Sequence, residues 1–565
     1  MRDASPATKI NTRRGEMRGF FSALRMKDHC GGISFALMAM LALTGCHSSA
    51  GHNESGPATV VVILESSPNN LDPRQGTDAQ SERVGGLIFD ALVKKDEHYN
   101  LTPWLATSWE QPDRLTWVFH LRDGVRFQDG RPLEAADVAW TIESLIEPRL
   151  VGLISSKSGS FAAVERVEAR DRLSVVVHMK WPDAGLLFNV SDGLFGVVPR
   201  GSGKDFGLHP VGSGAFRFVS QVQDKEVVLE RYAQCWSEGN LSNPTRSDET
   251  AMDGASKVSR IERLRFNVVP DTITSALELQ KGSADAASNV LSPDLVYSLR
   301  SARNLQTTSG PGTNVWYLNF NLADPALRDR RVRQAVALAM DRAAIVAALW
   351  RGNAQPAQTL LPPGDWAAAA NSDLAQYPHD SARAAHLLEA AGHPADRTGI
   401  RIHLTLKIST DETTRLLAVV LQQQLRAAGI DLRIRSAEFG TFYADVTHGA
   451  FQMYILKWVG SNEDPDIFRY MYSSESFPPK GANRGHFVDA RVDELLAHAA
   501  SESGPEAESH RRAEYIQIQQ ILAEELPTIP LWFQQSVVVH TRRLQGVVSR
   551  GDGSFDFLRD ATLVE

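Results

Sequence analysis

Asn314-Val315-Trp316-Tyr317-Leu318-Asn319-Phe320-Asn321 is followed, five residues on, by Leu327-Arg328-Asp329-Arg330-Arg331-Val332-Arg333-Gln334-Ala335-Val336-Ala337-Leu338-Ala339-Met340. In the second piece Val332, Ala335, Val336, Ala339 and Met340 recur at helical spacing, so one apolar stripe faces a core. Asp324-Pro325 reads as its N-cap with proline at the first helical position. Asp341 can cap a second helix ending near Gly352. Asp380 to Ala391 repeats the pattern with Gly392 behind it, and a helix from about Thr413 to Ala428 stops at Gly429. Ile430 to Arg435 then reads as a strand, and so does Phe451 to Trp458. Helix and strand alternate here, which predicts an α/β domain.

Upstream the signals are mixed. Ala58 to Leu64 is a short apolar run of the kind that forms a buried strand; Leu115–Leu121, Leu173–Met179 and Lys225–Leu229 are strand-like, and Ala135–Leu145 is helical. Arg122-Asp123-Gly124 and Asp129-Gly130 mark tight turns. The 565-residue length exceeds what one compact core accommodates and predicts at least two domains.

The N-terminus has a different grammar. Arg18, Arg25 and Lys27 precede eleven apolar or small residues, Ile33 to Leu43, and then Leu43-Thr44-Gly45-Cys46. A basic region, a short greasy core and small residues at a cleavage point make a secretory signal. The run is too short for a membrane span, which needs about 20 residues. Residues 47–57 are polar and small, the composition of a linker. Met17 and Met26 are alternative starts within this region.

Composition excludes some classes. The net charge of −8 argues against nucleic acid as a partner, because phosphate binding needs a basic footprint. Of three cysteines, Cys30 leaves with the signal and Cys46 stands just after the cleavage point, so Cys235 is the one left for the folded body and no intrachain disulfide is expected. Gly212-Ser213-Gly214 lacks the glycine spacing of a nucleophile elbow. Gly201-Ser202-Gly203-Lys204 is followed by Asp205, where a phosphate loop needs Ser or Thr. The 16 histidines are scattered, without metal-ligand spacing. No catalytic group, cofactor or metal is expected.

The segment 314–340 with Asp341-Arg342, Gly352, Pro356-Ala357 and Leu361-Pro362-Pro363 resembles the signature core of family 5 extracytoplasmic solute-binding proteins of ABC transporters, a group with dipeptide-, oligopeptide- and nickel-binding members. Leu71-Asp72-Pro73, Ile88 to Val93, Pro103 to Trp109, Leu121 to Phe127, Pro210 to Phe216 and Leu526 to Trp532 resemble further family segments, in the expected order. Leu43 to Cys46 resembles a bacterial lipobox, whose cysteine is diacylated and becomes the mature N-terminus.

The resemblance implies a two-lobed α/β periplasmic-binding-protein fold of the large peptide-binding type, with a hinge and an interlobe cleft. Residues 1–45 would be the signal, 46–57 the tether, 58–316 plus 537–565 the first lobe and 317–536 the second. Two strands would cross between lobes, near Asn314–Asn319 and Trp532–His540. The expected protein is a monomeric, membrane-anchored, extracytoplasmic lipoprotein. It would capture a peptide-like solute and deliver it to an ABC permease and ATPase complex. Another organic solute or chelated nickel is an alternative ligand, and a secreted hydrolase on the same scaffold is the alternative of another class.

Site candidates follow from the same resemblance. Trp458-Val459-Gly460-Ser461-Asn462-Glu463-Asp464 resembles the mouth of the second lobe. Peptide-binding members carry an aspartate three residues after the tryptophan to hold the peptide ammonium; here it is Ser461. Glu463 is the displaced acid that could compensate, and Asp464 reads as a cap of the next helix. The arginine that pairs with a dipeptide carboxylate would fall at Ile408; Lys407 stands beside it. Both dipeptide anchors are therefore absent, and free dipeptides are disfavoured. Trp316 and Trp458 lie on the segments nearest the expected cleft, with Thr77, Asp78, Ala79 and Gln80 on the first lobe's side. Trp316 and Asp78 could equally serve the core and a helix cap.

Overall fold

The computed structural model describes residues 57–76, 78–152, 155, 157–239, 258–460, 463–502 and 506–564. The signal, Cys46 and most of the tether lie outside them.

Two large sheets organise the body. The first has seven strands in the order Leu305–Gly310, Ser536–Thr541, Ala286–Ser288, Thr59–Leu64, Arg263–Val268, Glu226–Arg231, Phe216–Val222. A four-stranded antiparallel sheet, Ala106–Asp113, Thr116–Leu121, Ser174–Met179 and Val164–Ala169, belongs to the same half. The second large sheet has six strands in the order Ala354–Pro356, Thr528–Gln534, Val315–Phe320, Met453–Trp458, Ile402–Ser409, Ile430–Ala437. These are the cores of two lobes.

Val315–Phe320 is buried at every position, because its sheet is covered on both faces. Trp316, Leu318 and Phe320 join the cluster of Val332, Ala335, Val336 and Ala339 on the helix Arg330–Ala339; Val315 and Tyr317 join the opposite cluster. The predicted apolar stripe is thus the buried one. The helix starts five residues later than Pro325 suggests. Asp329 is its N-cap and accepts from the Arg331 N–H at 2.9 Å. The reason lies in Arg333, whose buried guanidinium donates to the carbonyls of Leu327 and Arg328 at 2.8 and 2.9 Å. A helix beginning at Pro325 would have turned those carbonyls toward its own N–H groups. Asp324 instead closes a turn, accepting from the Ala326 N–H.

The glycine stops hold: Gly392 and Gly429 have φ of 94° and 85° after their helices. The helix after Asp341 continues from Arg342–Ile345 through a π-turn, Val346–Trp350, to Gly352 at φ 86°.

The chain passes between the large sheets twice, at residues 311–314 and at Gln535. The strand Val315–Phe320 belongs wholly to the second sheet, so the first passage precedes it. The two passages run backbone to backbone. The Gln534 N–H donates to the Asn314 carbonyl at 2.9 Å. A Cβ at Gly312 would stand 2.1 Å from the Gln534 carbonyl oxygen, so only glycine fits there. No helix among the described residues is long and apolar enough to cross a membrane.

Candidate functional site

A cavity of about 370 Å³ lies between the lobes. The helix Ala79–Ile88, the strand Val93–Lys95 and the segments around Asp192 and Asp552–Arg559 wall it on the first lobe; Val459, Gly460 and Glu463 close it from the second. Gly85 and Gly86 line the helix side, so the wall there is backbone and the space is kept open.

The first lobe's floor is a buried charge network. Lys94 Nζ is 2.9 Å from Asp556 and 3.9 Å from the centre of the Trp104 ring. Arg559 bonds Asp556 at 3.0 Å and Asp90 at 3.4 Å. Asp90 also accepts from Trp104 Nε1, Trp236 Nε1 and Ser213 Oγ at 2.9, 3.0 and 2.8 Å. Such charges are tolerated out of water only when paired and fully hydrogen-bonded. Burial pushes the Asp556 carboxyl up, but Lys94 and Arg559 outweigh it and hold it well below the usual carboxylate range.

One ion pair joins the lobes across the cavity. Lys95 Nζ meets Glu463 Oε2 at 2.7 Å, with side chains 8% and 3% exposed. Burial would lower the lysine, yet Glu463, Asp192 and Asp552 together keep it firmly protonated. Burial raises the Glu463 carboxyl, Lys95 opposes this, and Asp552 and Asp192 add to it. Asp192 also faces Lys94, so these acids are held by more than one cation of the same wall.

The sequence candidates fall unequally around this cavity. Glu463 is in its wall and is committed to Lys95. Trp458 is the last residue of a strand and half-buried; its indole N–H donates to the Gly460 carbonyl at 2.7 Å and its ring meets Tyr470 edge-on. It braces the mouth loop. Asp78 caps the cavity helix, accepting from the Ser81 N–H at 2.9 Å. Gln80 is buried with Nε2 3.5 Å from Glu65. Trp316 packs against Trp350 and Trp532, ring centres 5.7 and 6.2 Å away. Lys407 bonds Asp445 at 2.8 Å and the Ala450 carbonyl at 2.6 Å, away from the cavity. Thr77, Ser461 and Asn462 lie outside the described residues. Asp464 turns the chain by accepting from the Asp466 N–H at 2.7 Å, and Asp466 takes the cap position of Ile467–Tyr472.

Arg83, Lys94, Lys95, Asp90, Trp104, Asp192, Asp552, Asp556 and Arg559 also line the cavity and are not among the sequence candidates. Asp90 carried a signal: it is a carboxylate inside the apolar run Ile88-Phe89-Asp90-Ala91-Leu92-Val93, and such a residue is buried only with partners. The C-terminal acids carried none.

With this geometry in place, comparison with known proteins assigns the chain. Residues 100–478 match the model of the bacterial extracellular solute-binding proteins, family 5, which is well over half of the chain. The protein belongs to that family, and its role is solute binding. The glutathione-binding protein GsiB of Escherichia coli O1:K1 / APEC is 26% identical over 543 residues, covering 94% of this chain and 97% of GsiB. Two solved structures share the fold. The ABC transporter substrate-binding protein CtaP of Listeria monocytogenes superposes with a TM-score of 0.76 at 22% identity, covering 90% of this chain and 100% of CtaP. The oligopeptide-binding protein AppA of Bacillus subtilis, in complex with a nonapeptide, gives 0.69 at 21%, with the same coverage.

Proposed function

We propose that this protein is the capture component of an ABC importer for a short peptide-like solute. It holds the solute in the interlobe cavity and passes it unaltered to a membrane permease with its ATPase. The observation that carries the reading is the interlobe space of about 370 Å³ bridged by a buried ion pair from opposite lobes. That volume lies at the small end of ligand pockets, which run from about 300 to 1,000 Å³. It suits a tri- or tetrapeptide better than a nonapeptide. GsiB, whose name states glutathione, supports a compact and modified peptide. No covalent step is needed.

Two further elements complete the proposal. Cys46 carries lipid and tethers the body outside the cytoplasm through residues 47–57. The lobes divide near 316 and 536; the passages at 311–314 and Gln535 support hinges two to five residues and one residue earlier. Closure is a hinge movement about them.

Thermal melting of the purified protein against glutathione, tri- and tetrapeptides and nickel–histidine tests the function. A ligand at 100 times its Kd stabilises by about 2.7 kcal/mol. Stabilisation by glutathione or a short peptide is expected; a response to nickel–histidine alone, or to nothing in the panel, overturns the reading. The anchor is tested separately. Incorporation of an alkyne-tagged fatty acid should disappear in Cys46→Ala.

A further inference from the structure

Five lysine or arginine side chains line the cavity: Arg83, Lys94, Lys95, Lys157 and Arg559. Four have a carboxylate in contact. Lys94 has Asp556, Lys95 has Glu463, Lys157 has Glu82 at 3.3 Å, and Arg559 has Asp556 and Asp90. Arg83 has none among the described residues. Its guanidinium offers five N–H donors. Its hydrogen bond to the described residues is a long one, from Nη2 to the Asp552 carbonyl at 3.4 Å. Gly553 gives it room: a Cβ there would lie 2.6 Å from Nη2.

Burial works against the Arg83 charge, and the carboxylates of Asp552, Glu65 and Glu82 support it without an ion-pair contact. Glu82 is already taken by Lys157. A second cation stands nearby on the other lobe. Lys457 is two residues before the cavity residue Val459; burial lowers its ammonium, Glu65 and Asp411 oppose this, and Arg83 adds to it.

Building on the solute-binding reading above, we propose that the cavity's ligand bears a carboxylate that docks on the Arg83 guanidinium. The planar fork matches a carboxylate bidentately, which a lysine cannot do. The recognition set is therefore distinct from the two dipeptide anchors missing at Ser461 and Ile408, and it sits on the first lobe.

Calorimetry with the full-length protein tests this, comparing glutathione with its diethyl ester and tri-alanine with its C-terminal amide. The blocked forms should bind wild type about 10- to 100-fold more weakly than the free acids. Arg83→Met should lose the same factor for the free acids and no more for the blocked forms, with Arg83→Lys in between. Equal binding of free and blocked forms by wild type, or a preference kept by Arg83→Met, overturns the proposal. Melting of the ligand-free proteins supplies an arm that needs no ligand. An unpaired guanidinium costs stability, so Arg83→Met should melt no lower than wild type. A lower melting point would mean that Arg83 serves the fold, and the proposal fails whatever the ligand. If wild type binds none of the four probes, the peptide reading falls and this melting arm alone decides Arg83.

Discussion

The two lobes solve the same problem with different materials. The first lobe builds its cavity face from buried charges, with Asp90, Arg559, Asp556 and Lys94 in one connected network. The second lobe packs aromatics behind its face: Trp350 and Trp532 lie 4.5 Å apart, and Trp316 joins them. Only Val459, Gly460 and Glu463 of its described residues reach the cavity beyond the crossover. The difference assigns roles. The first lobe supplies most of the charged groups in the cavity wall, and the second contributes one among the described residues, Glu463.

The largest effects should come from breaking each material. Arg559→Ala strips the cation from the buried Asp90 carboxylate and leaves Asp556 with Lys94 alone, at a cost of about 3–5 kcal/mol. Trp532→Ala empties the fully buried centre of the second core for a similar loss, about 3–5 kcal/mol. Denaturant unfolding separates the two. The Arg559→Ala deficit should shrink as pH falls and the carboxylates are protonated, whereas the Trp532→Ala deficit should stay constant. Parallel pH responses would erase the distinction between the lobes.

A smaller effect is expected where the materials meet. Lys95→Met removes the ammonium shared by Glu463, Asp192 and Asp552. Opening the lobes lets water reach these acids, so the cost falls on closure more than on folding. Ligand affinity should drop about 10-fold, or about 1.4 kcal/mol. Small-angle scattering of the ligand-free variant should show a larger radius of gyration than wild type. An unchanged profile with unchanged affinity would show that the pair does not hold the lobes shut.

This contrast also explains what could be read from the chain. Helix stops such as Gly392 and Gly429 and the stripe Val332–Met340 are local, so periodicity and punctuation reveal them. Even locally, one choice failed: Asp324 and Asp329 are both competent caps, and the long reach of Arg333 to residues 327 and 328 decided between them. The second lobe's core was legible as apolar spacing. The first lobe's site was not, because its pairs join residues 462 positions apart in Lys94–Asp556 and 469 in Arg559–Asp90. Lys95 and Glu463 are 368 apart. A charge far from its partner looks like any surface charge. The resemblance directed attention to Trp316 and Lys407, which the fold spends on core packing and a local ion pair.

The smallest effect concerns the acid reserve behind the second lobe's cover. Asp365 is buried, with Oδ1 accepting from the Ala367 N–H at 2.8 Å and Oδ2 without a partner among the described residues. Burial raises its carboxyl from 3.8 to about 8; the Ala367 bond opposes this, and Asp464 and Glu463 add to it. Asp464 is raised to about 6, by burial first, with Arg511 opposing. A raised carboxyl favours the protonated folded state. Its stabilisation is complete below the unfolded value near 4 and is lost as pH climbs through about 6 to 8. Stability should therefore decline from pH 5 to pH 9. Asp365→Asn keeps the acceptor and mimics the neutral acid, so it should raise stability by about 1 kcal/mol at pH 8.5 and change little at pH 5. Chemical denaturation at the two pH values measures this. A variant that is weaker at both would mean Asp365 is ionised and paired in the folded protein, and the second lobe would then share the first lobe's reliance on buried charge.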